Sequence, residues 1–329
     1  MNKIKKVSEL VGPSRRGSVG LILDIFFGAG IMVVAAAAYL IRKWRLLQLA
    51  ITLPAFLTLL LLPVTPESPR WLYSSQRNKE AARIVQKIAR FNRVKISDKF
   101  LEELTTNVDL QIEERNLSPM DLFRVPTMRY RSLCLLFIWF TVSLMYYGLI
   151  LSTESLGVNI YLGMLISGAV DIFGFCSSIF LIEWFGRRLT ESGLLAISAL
   201  AGILIIVTPS GATRTVVGMI GKCSISAAFA VIVIYTAEMY PTLLRGMALG
   251  TCSLTSWVGG MLCPVIFILA NTWAPLPLVL FAAASFLSSA LTCLLPETKG
   301  ISLPETIAEA EQLSRKRQRI PSTDKDDVI

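Results

Sequence analysis

The stretch LCLLFIWFTVSLMYYGLILS, residues 133–152, contains no charged residue. The hydrocarbon core of a bilayer is about 30 Å thick, so a helix that crosses it needs roughly 20 mostly apolar residues. Seven further stretches meet this criterion, and the sequence therefore predicts an all-α, polytopic membrane helix bundle with about eight transmembrane helices. The predicted spans are 18–41, 46–64, 133–152, 159–182, 192–209, 216–236, 247–270 and 276–295.

The composition indicates the same class of protein. The 329 residues are 53% hydrophobic and 17% charged, whereas soluble domains carry roughly 25% charged residues. A soluble bundle of fully buried helices is the alternative, but the short connections between eight such stretches argue against it. The chain has no histidine, which excludes a serine–histidine triad, a histidine-ligated zinc and a histidine proton shuttle. We expect no enzymatic activity, no metal site and no cofactor.

The distribution of basic residues predicts the orientation. Most of the 32 lysines and arginines lie in the N-terminal tail, in the connection 65–132, in the short loop 183–191 and after residue 296. Positive charge is retained on the cytoplasmic side of a membrane. We therefore expect a multi-pass protein, in the plasma membrane, with both termini cytoplasmic. The net charge of +9 is interpreted as a topology signal rather than a nucleic-acid-binding surface, because no basic stripe accompanies it.

Shorter elements are predicted outside and within the spans. Ser118–Asp121 has the form of a capping box before Pro126 and predicts a short helix. Gly259, Gly260 and Pro264 predict a bend in the seventh span. An amphipathic helix is expected over 76–92, at the inner leaflet or the cytoplasmic face of the bundle; its apolar face comprises Ala81, Ile84, Val85, Ile88 and Phe91.

Four charged motifs stand where predicted spans meet the cytoplasm: PESPRW (66–71), EWFGRR (183–188), EMYPTLLR (238–245) and PETKG (296–300). Opposite charges at helix ends can pair in one conformation and separate when the helices move apart, which biases a two-state equilibrium. The alternative is that each motif is only an interfacial anchor. The predicted gating network comprises Glu67, Arg70, Arg187, Arg188, Glu238, Arg245 and Glu297.

Charged residues inside predicted spans are candidates for function, because each is costly to insert into the membrane. Lys222 could neutralise a substrate carboxylate, pair with Asp171 or extend outward to the interface. Aromatic residues near the midplane could bind ammonium groups through cation–π attraction, although packing explains any one of them equally simply. The candidates for a substrate cavity are Asp24, Tyr146, Tyr147, Asp171, Lys222, Phe229, Tyr235 and Trp257.

The boundary motifs together resemble those of the major facilitator superfamily. AEMYPTLLRG, LLPETKGISLPETIAEAE, MYYGLILST and LGVNIYLG are similar to segments of its organic cation/anion transporter family. The resemblance runs from about Ser8 to about Glu311. It implies a twelve-helix fold with a midplane site between two halves that rock against each other.

Within that fold the chain resembles helices five to twelve, without the first four. The resemblance divides it into a remnant of the N-terminal bundle at 1–64, a cytoplasmic loop at 65–132 with short helices, a six-helix C-terminal bundle at 133–295 and a cytoplasmic tail at 296–329.

The predicted function is transmembrane transport of small organic ions by alternating access. The resemblance does not assign the substrate's charge, because Trp257, Ala230 and Phe175 stand where relatives can carry charged residues. Two acidic residues against one lysine within the spans, together with the aromatics, favour organic cations or zwitterions over anions. One alternative is a truncated, non-transporting membrane protein that assembles, as a homo- or hetero-oligomer, with a full-length transporter and regulates it. The other is a sugar porter-like transporter.

Overall fold

The computed structural model describes residues 16–60, 69, 72, 77–91, 119–124, 126–152, 159–209 and 211–300. All regular secondary structure within these residues is helical, which confirms the predicted all-α class. Short 3-10 helices lie at Pro119–Phe123 and Leu269–Asn271. The α-helices are α1 (Arg16–Leu40), α2 (Trp44–Leu60), α3 (Asn78–Phe91), α4 (Pro126–Ser152), α5 (Ile160–Phe185), α6 (Arg187–Val207), α7 (Ala212–Met239), α8 (Thr242–Ile268) and α9 (Leu276–Leu294).

Six helices in the described part of the chain, α4 to α9, are long and apolar enough to cross a membrane. The first two predicted spans coincide with α1 and α2. Within α1, the stretch Asp24–Leu40 is apolar but shorter than the six membrane-spanning candidates. Helix α2 has 17 residues, with Pro54 in its interior. The chain is thus a multi-pass membrane protein with a helical fold, as its sequence predicts.

Helix boundaries differ from the predicted spans where polar residues extend a helix beyond its apolar segment. The third predicted span begins at residue 133, whereas α4 begins at Pro126, a residue suited to the first helical position because it lacks an N–H there. The fifth begins at 192, whereas α6 begins at Arg187. Asn159 caps α5, since its side-chain oxygen accepts a 3.0 Å hydrogen bond from the Tyr161 N–H.

The described residues fall into two compact units. One lies within 1–23 and 37–116, the other within 24–36 and 117–329, and each comprises only the described residues of those ranges. In the first, α3 confirms a helix within the predicted range 76–92. Ala81 of the predicted apolar face is buried, as is Ala89, which was not assigned to it, whereas the prediction is wrong for Phe91, which is 89% exposed at the helix end. The remaining members of the predicted face are half-buried: Ile84, Val85 and Ile88.

The second unit contains the six-helix bundle α4–α9. Helix α4 packs against α7, α8 and α9, helix α6 packs against α7 and α9, and α5 packs against α7. One residue, Gly186, separates α5 from α6, and Tyr240 and Pro241 separate α7 from α8, so these neighbours are antiparallel. The core between the helices includes Leu135, Ile138, Met145, Leu195, Ile225, Tyr235 and Phe281.

Two pairs of glycines allow helices of this unit to approach closely. A Cβ on Gly259 of α8 would collide with the carbonyl oxygen of Phe140 in α4, and one on Gly260 would lie 2.9 Å from Cε2 of Tyr147. These glycines, predicted to mark a bend, serve a close α4–α8 contact, and α8 runs through them as one helix.

The second pair lies where α1 crosses α5. A Cβ on Gly28 would lie 2.7 Å from Cγ1 of Ile172, and one on Gly168 would lie 2.8 Å from the carbonyl oxygen of Gly28. The two backbones therefore touch, with no room for a side chain at either position.

Candidate functional site

A buried ion pair joins α5 and α7. Nζ of Lys222 lies 3.1 Å from Oδ1 of Asp171, and their side chains are 3% and 0% exposed. The two residues lie about 15–17 Å along the axis from the N-terminal ends of their helices, a depth close to half of a bilayer core. Gly174 brings the helices together here, since a Cβ on it would lie 2.7 Å from the Cys223 carbonyl oxygen.

Two further side chains complete the partners of Asp171. The Tyr146 hydroxyl of α4 donates a 3.0 Å hydrogen bond to Oδ2, and the Ser226 hydroxyl donates to Oδ1. The Lys222 ammonium also lies over the Tyr146 ring, 3.1 Å from its centroid, a cation–π contact. The Tyr147 ring stands edge-on to that of Tyr146, with centroids 5.5 Å apart. We call Tyr146, Asp171, Lys222 and Ser226 the buried charge cluster.

The buried charge cluster has no net charge when both ionic groups are ionised. Lys222 pairs with Asp171 instead of extending to the interface. Neither group therefore presents an unpaired charge. Removing one partner of such a pair leaves an uncompensated charge in a low dielectric, typically at a cost of about 3–5 kcal/mol. The cluster can attract a ligand charge only if its own partners exchange.

The other predicted cavity residues lie outside this cluster. Asp24 is half-buried on α1 and takes no part in the hydrogen bonds described above. Phe229 packs edge-on against Trp139, with centroids 5.8 Å apart. Trp257 is 61% exposed on α8.

Tyr235, also predicted for the cavity, lies near the C-terminal end of α7. Its side chain is fully buried, and its hydroxyl donates a 2.6 Å hydrogen bond to the carbonyl oxygen of Pro296. It thus fastens α7 to the segment that follows α9, near the charged motifs.

We call the end of the bundle that carries the α5–α6 turn, the α7–α8 turn and residues 295–300 the basic end. Nη2 of Arg187 lies 2.8 Å from Oε1 of Glu238. The other oxygen of Glu238 accepts a 2.6 Å hydrogen bond from the Thr298 hydroxyl. The three motifs EWFGRR, EMYPTLLR and PETKG therefore meet through side chains.

Glu297 caps the N-terminus of α6. Its carboxylate accepts hydrogen bonds from the backbone N–H groups of Arg187 (2.9 Å) and Arg188 (3.1 Å), where the helix dipole favours a negative charge. The contact requires glycine at position 186, where φ is +82°, for two reasons. This backbone conformation favours glycine, and a Cβ would lie 2.8 Å from Oε2 of Glu297.

Of the predicted gating network, the structure brings together Arg187, Arg188, Glu238 and Glu297. Arg245 is half-buried in the first turn of α8, and its backbone N–H donates to the Pro241 carbonyl oxygen at 2.9 Å. The two remaining predicted members, Glu67 and Arg70, lie outside the described residues.

A polar contact that the sequence analysis missed anchors the 3-10 helix Pro119–Phe123 beside the basic end. Ser132 of α4 shares a 2.7 Å hydrogen bond with the Tyr240 hydroxyl and donates to the Leu122 carbonyl oxygen at 3.4 Å. Arg129 donates to the Phe123 carbonyl oxygen at 2.9 Å. Burial raises the pKa of Tyr240, so the phenol stays neutral. No pattern in the sequence links Ser132 with Tyr240, which lie 108 residues apart.

The fold and these polar clusters define a multi-pass helical membrane protein with charges paired at mid-depth and at one end. The sequence profile of the sugar (and other) transporter family matches residues 7–309. The chain belongs to this family.

Two curated relatives confirm the resemblance predicted from the motifs. The organic cation transporter protein of Drosophila melanogaster is 37% identical over 317 residues, which are 94% of this chain and 58% of the relative. Solute carrier family 22 member 3 of Rattus norvegicus is 38% identical over 313 residues, 93% of this chain and 56% of the relative. The chain thus spans little more than half the length of these relatives.

A solved structure confirms the fold. The xylose transporter XylE of E. coli, in an inward-open conformation, superposes with a TM-score of 0.67 at 18% sequence identity. The match covers 94% of this chain and 68% of that one. The fold is therefore that of the major facilitator superfamily.

Proposed function

We propose that this chain takes part in the transport of small organic ions across the plasma membrane. The observation that carries the proposal is the buried charge cluster: Asp171 and Lys222 are enclosed at mid-depth in a bundle of membrane-spanning helices. Charges at this depth are expensive, and in membrane proteins they mark pathways for ions and substrates. The names of the relatives, which include an organic cation transporter, support the same class of activity.

The proposed mechanism is alternating access. We assign to the closed state of the basic end the contacts in which Arg187 pairs with Glu238 and Glu297 caps α6. These contacts separate when the end opens. The Arg187 and Glu238 side chains are 22% and 19% exposed, so each contact stabilises the closed state modestly, by about 1 kcal/mol. A set of such contacts is enough to bias a two-state equilibrium without locking it.

The distribution of basic residues supports a cytoplasmic position for the basic end and both termini. On this orientation, 65–132 is a cytoplasmic connection, and opening of the basic end is the inward-facing step.

Organic cations or zwitterions are the proposed substrates. Tyr147 adjoins the buried charge cluster and is only half-buried, so its ring is available to an ammonium group that has lost its water. Asp171 supplies the nearby negative charge. When a substrate ammonium approaches, one of the three partners of Asp171 can exchange, which would couple binding to movement of α4, α5 and α7.

Uptake into lipid vesicles tests this proposal. The purified chain is reconstituted, and uptake of a tracer quaternary ammonium ion is compared with that of a tracer organic anion. Asp171→Asn and Arg245→Ala are measured separately, and unlabelled hexose is added as a competitor. We expect cation uptake that both substitutions reduce and hexose leaves unchanged. Uptake no higher than in empty vesicles would refute transport by this chain, and competition by hexose would favour a sugar porter.

A second candidate function is assembly with a full-length relative. Five apolar side chains at spacings of three and four residues form one exposed stripe on α8, a surface suited to another membrane helix: Leu254, Trp257, Met261, Val265 and Ile268. In this case the chain would change the surface level or the uptake of a full-length transporter expressed in the same cell. Co-expression that leaves both quantities unchanged would count against it.

A further inference from the structure

One buried carboxyl at the basic end has no part in the contacts described above. Glu191, in the second turn of α6, has an exposed fraction of 0%. Neither of its side-chain oxygens has a hydrogen-bond partner, and no ion pair involving it occurs in the part of the chain that the structure describes. It differs in this from Glu238 and Glu297, which share the same end of the bundle and are both bonded.

No side chain among the described residues forms a hydrogen bond or an ion pair with the Glu191 carboxyl. The dipole of α6 acts within its first turn, and Glu297 already occupies that position through the N–H groups of Arg187 and Arg188. Tyr235 of α7 lies within electrostatic range of Glu191, but its hydroxyl donates to Pro296. The charged groups within the same range of Tyr235 are Arg188 of α6, Arg131 of α4 and Glu297 after α9.

An ionised carboxylate enclosed without a partner is so unfavourable that the group takes up a proton and becomes neutral. A neutral carboxylic acid fits the apolar contact between α6 and α7 far better. Water that enters when the helix ends separate would remove this constraint, and the group would then ionise.

We propose that Glu191 is a proton-binding site that couples opening of the basic end to proton release. In the closed end it carries a proton; on opening, its O–H bond breaks, the proton passes to the entering water, and the carboxylate remains. The opening step rests on the proposed alternating-access function, whereas proton binding in the closed state does not. Because the closed state holds the extra proton, lower pH stabilises the closed state. Release of one proton per opening changes the opening equilibrium by at most about tenfold per pH unit.

Infrared spectroscopy of the chain in vesicles of ether-linked lipids, which have no ester carbonyl band, tests the protonation directly. The carbonyl stretch of a protonated carboxylic acid is separate from the bands of ionised carboxylates. We expect this band in the wild type at neutral pH, and its loss in Glu191→Gln, which keeps the side-chain shape. Glu183→Gln, at an exposed position near the end of α5, is the matched control and should retain the band. A wild-type spectrum without a band that Glu191→Gln removes would overturn the proposal.

Hydrogen–deuterium exchange tests the coupling. The backbone N–H groups of Arg187 and Arg188, which donate to Glu297, exchange when the end opens. After correction for the intrinsic pH dependence of exchange, we expect the exchange rates of these two groups to rise with pH in the wild type and in Glu183→Gln. In Glu191→Gln we expect the corrected rates to be independent of pH. An unchanged pH dependence in Glu191→Gln would contradict the coupling.

Neither measurement requires transport, so the two proposals fail separately. A chain with the infrared band and the pH-dependent exchange but without uptake would contradict the proposed function alone. A chain that takes up the tracer cation without the band would contradict the proton site alone.

Discussion

Asp171 shows how a single side chain can depend on three helices. Its carboxylate forms an ion pair with Lys222 of α7 and accepts hydrogen bonds from Ser226 of α7 and Tyr146 of α4. The sequence identified Asp171 and Lys222 because each is a charge within an apolar run. It did not establish their pairing, which depends on the depth of each residue in its own helix and on Gly174 between the helices. Ser226 was missed, although it lies four residues after Lys222 and so on the same helix face.

We predict that the effects of substituting Asp171 and Lys222 on the free energy of unfolding are strongly non-additive. Asp171→Asn or Lys222→Met alone leaves an uncompensated buried charge and should lower the free energy of unfolding by about 3–5 kcal/mol. The double variant should be more stable than either single variant. Thermal unfolding in detergent measures this, and a double variant that loses the sum of the two single losses would contradict the pairing.

The Tyr146 hydroxyl offers a finer test at the same site. Tyr146→Phe keeps the ring beneath Lys222 but removes a hydrogen bond to a carboxylate, and we expect a loss of about 1.5–3 kcal/mol. Tyr147→Phe is the control, because no hydrogen bond of the Tyr147 hydroxyl is seen among the described residues; its loss should be within about 0.5 kcal/mol. Equal losses in the two variants would show that the hydroxyl of Tyr146 contributes nothing specific.

At the scale of the element, the short turn between α5 and α6 has the strictest requirements. The sequence predicted this turn from the GRR motif but began the next span at residue 192. It could not show that Arg187 to Glu191 are helical, because their helix depends on Glu297, more than 100 residues later, as its N-terminal cap. A local pattern does not report a cap supplied from so far along the chain.

Gly186→Ala should destabilise the protein more than Gly300→Ala, because backbone strain and steric conflict act together at Gly186. Both glycines have left-handed φ values, +82° and +74°, but a Cβ would meet Glu297 at Gly186 and nothing within 4 Å at Gly300. We expect a loss at both positions and a larger one, of at least about 1–3 kcal/mol, at Gly186, because φ of +82° with ψ of 175° is a conformation almost confined to glycine and Glu297 adds a steric conflict. Equal shifts in melting temperature would mean that the Glu297 contact yields without cost.

The glycine pair of α8 leads to a prediction about helix packing. Gly259→Ala places a methyl group against the Phe140 carbonyl oxygen and should force α8 away from α4, with a loss of at least about 1–3 kcal/mol. Gly193→Ala has open space around the new Cβ and should be neutral or stabilise α6 by about 0.5–1 kcal/mol. Melting temperatures that move in the same direction by the same amount would contradict the close contact.

At the scale of the whole molecule, apolar length was sufficient to predict most of the architecture. The last six predicted spans all correspond to helices that can cross a membrane, since a run of 20 apolar residues has few other stable forms. The partners of each helix were not predictable, because α4 packs against α8 and α9, which follow it by more than 100 residues. The proposed division into bundle remnant, loop, six-helix bundle and tail stays a prediction.

The closed state of the whole bundle should depend on Glu297. Glu297→Gln removes the charge that caps α6 and should destabilise the closed end by about 0.5–2 kcal/mol. Cys293, half-buried in the last turn of α9 and 3.1 Å from the Ser192 hydroxyl, reports this opening. A water-soluble thiol reagent, followed by mass spectrometry, should label Cys293 several-fold faster in Glu297→Gln than in the wild type or in Glu183→Gln. Equal rates in all three proteins would contradict a closing role for Glu297.

The crossing of α1 and α5 at Gly28 and Gly168 has a mechanical consequence. Side chains that interdigitate fix the angle between two helices, because rotation about the contact would drive them into one another. At this crossing the carbonyl oxygen of each glycine faces the backbone of the other helix. The side chains of Ile172 and Met32 also lie at this crossing, so the backbone contact sets the separation of the two helices while these two side chains limit the angle between them.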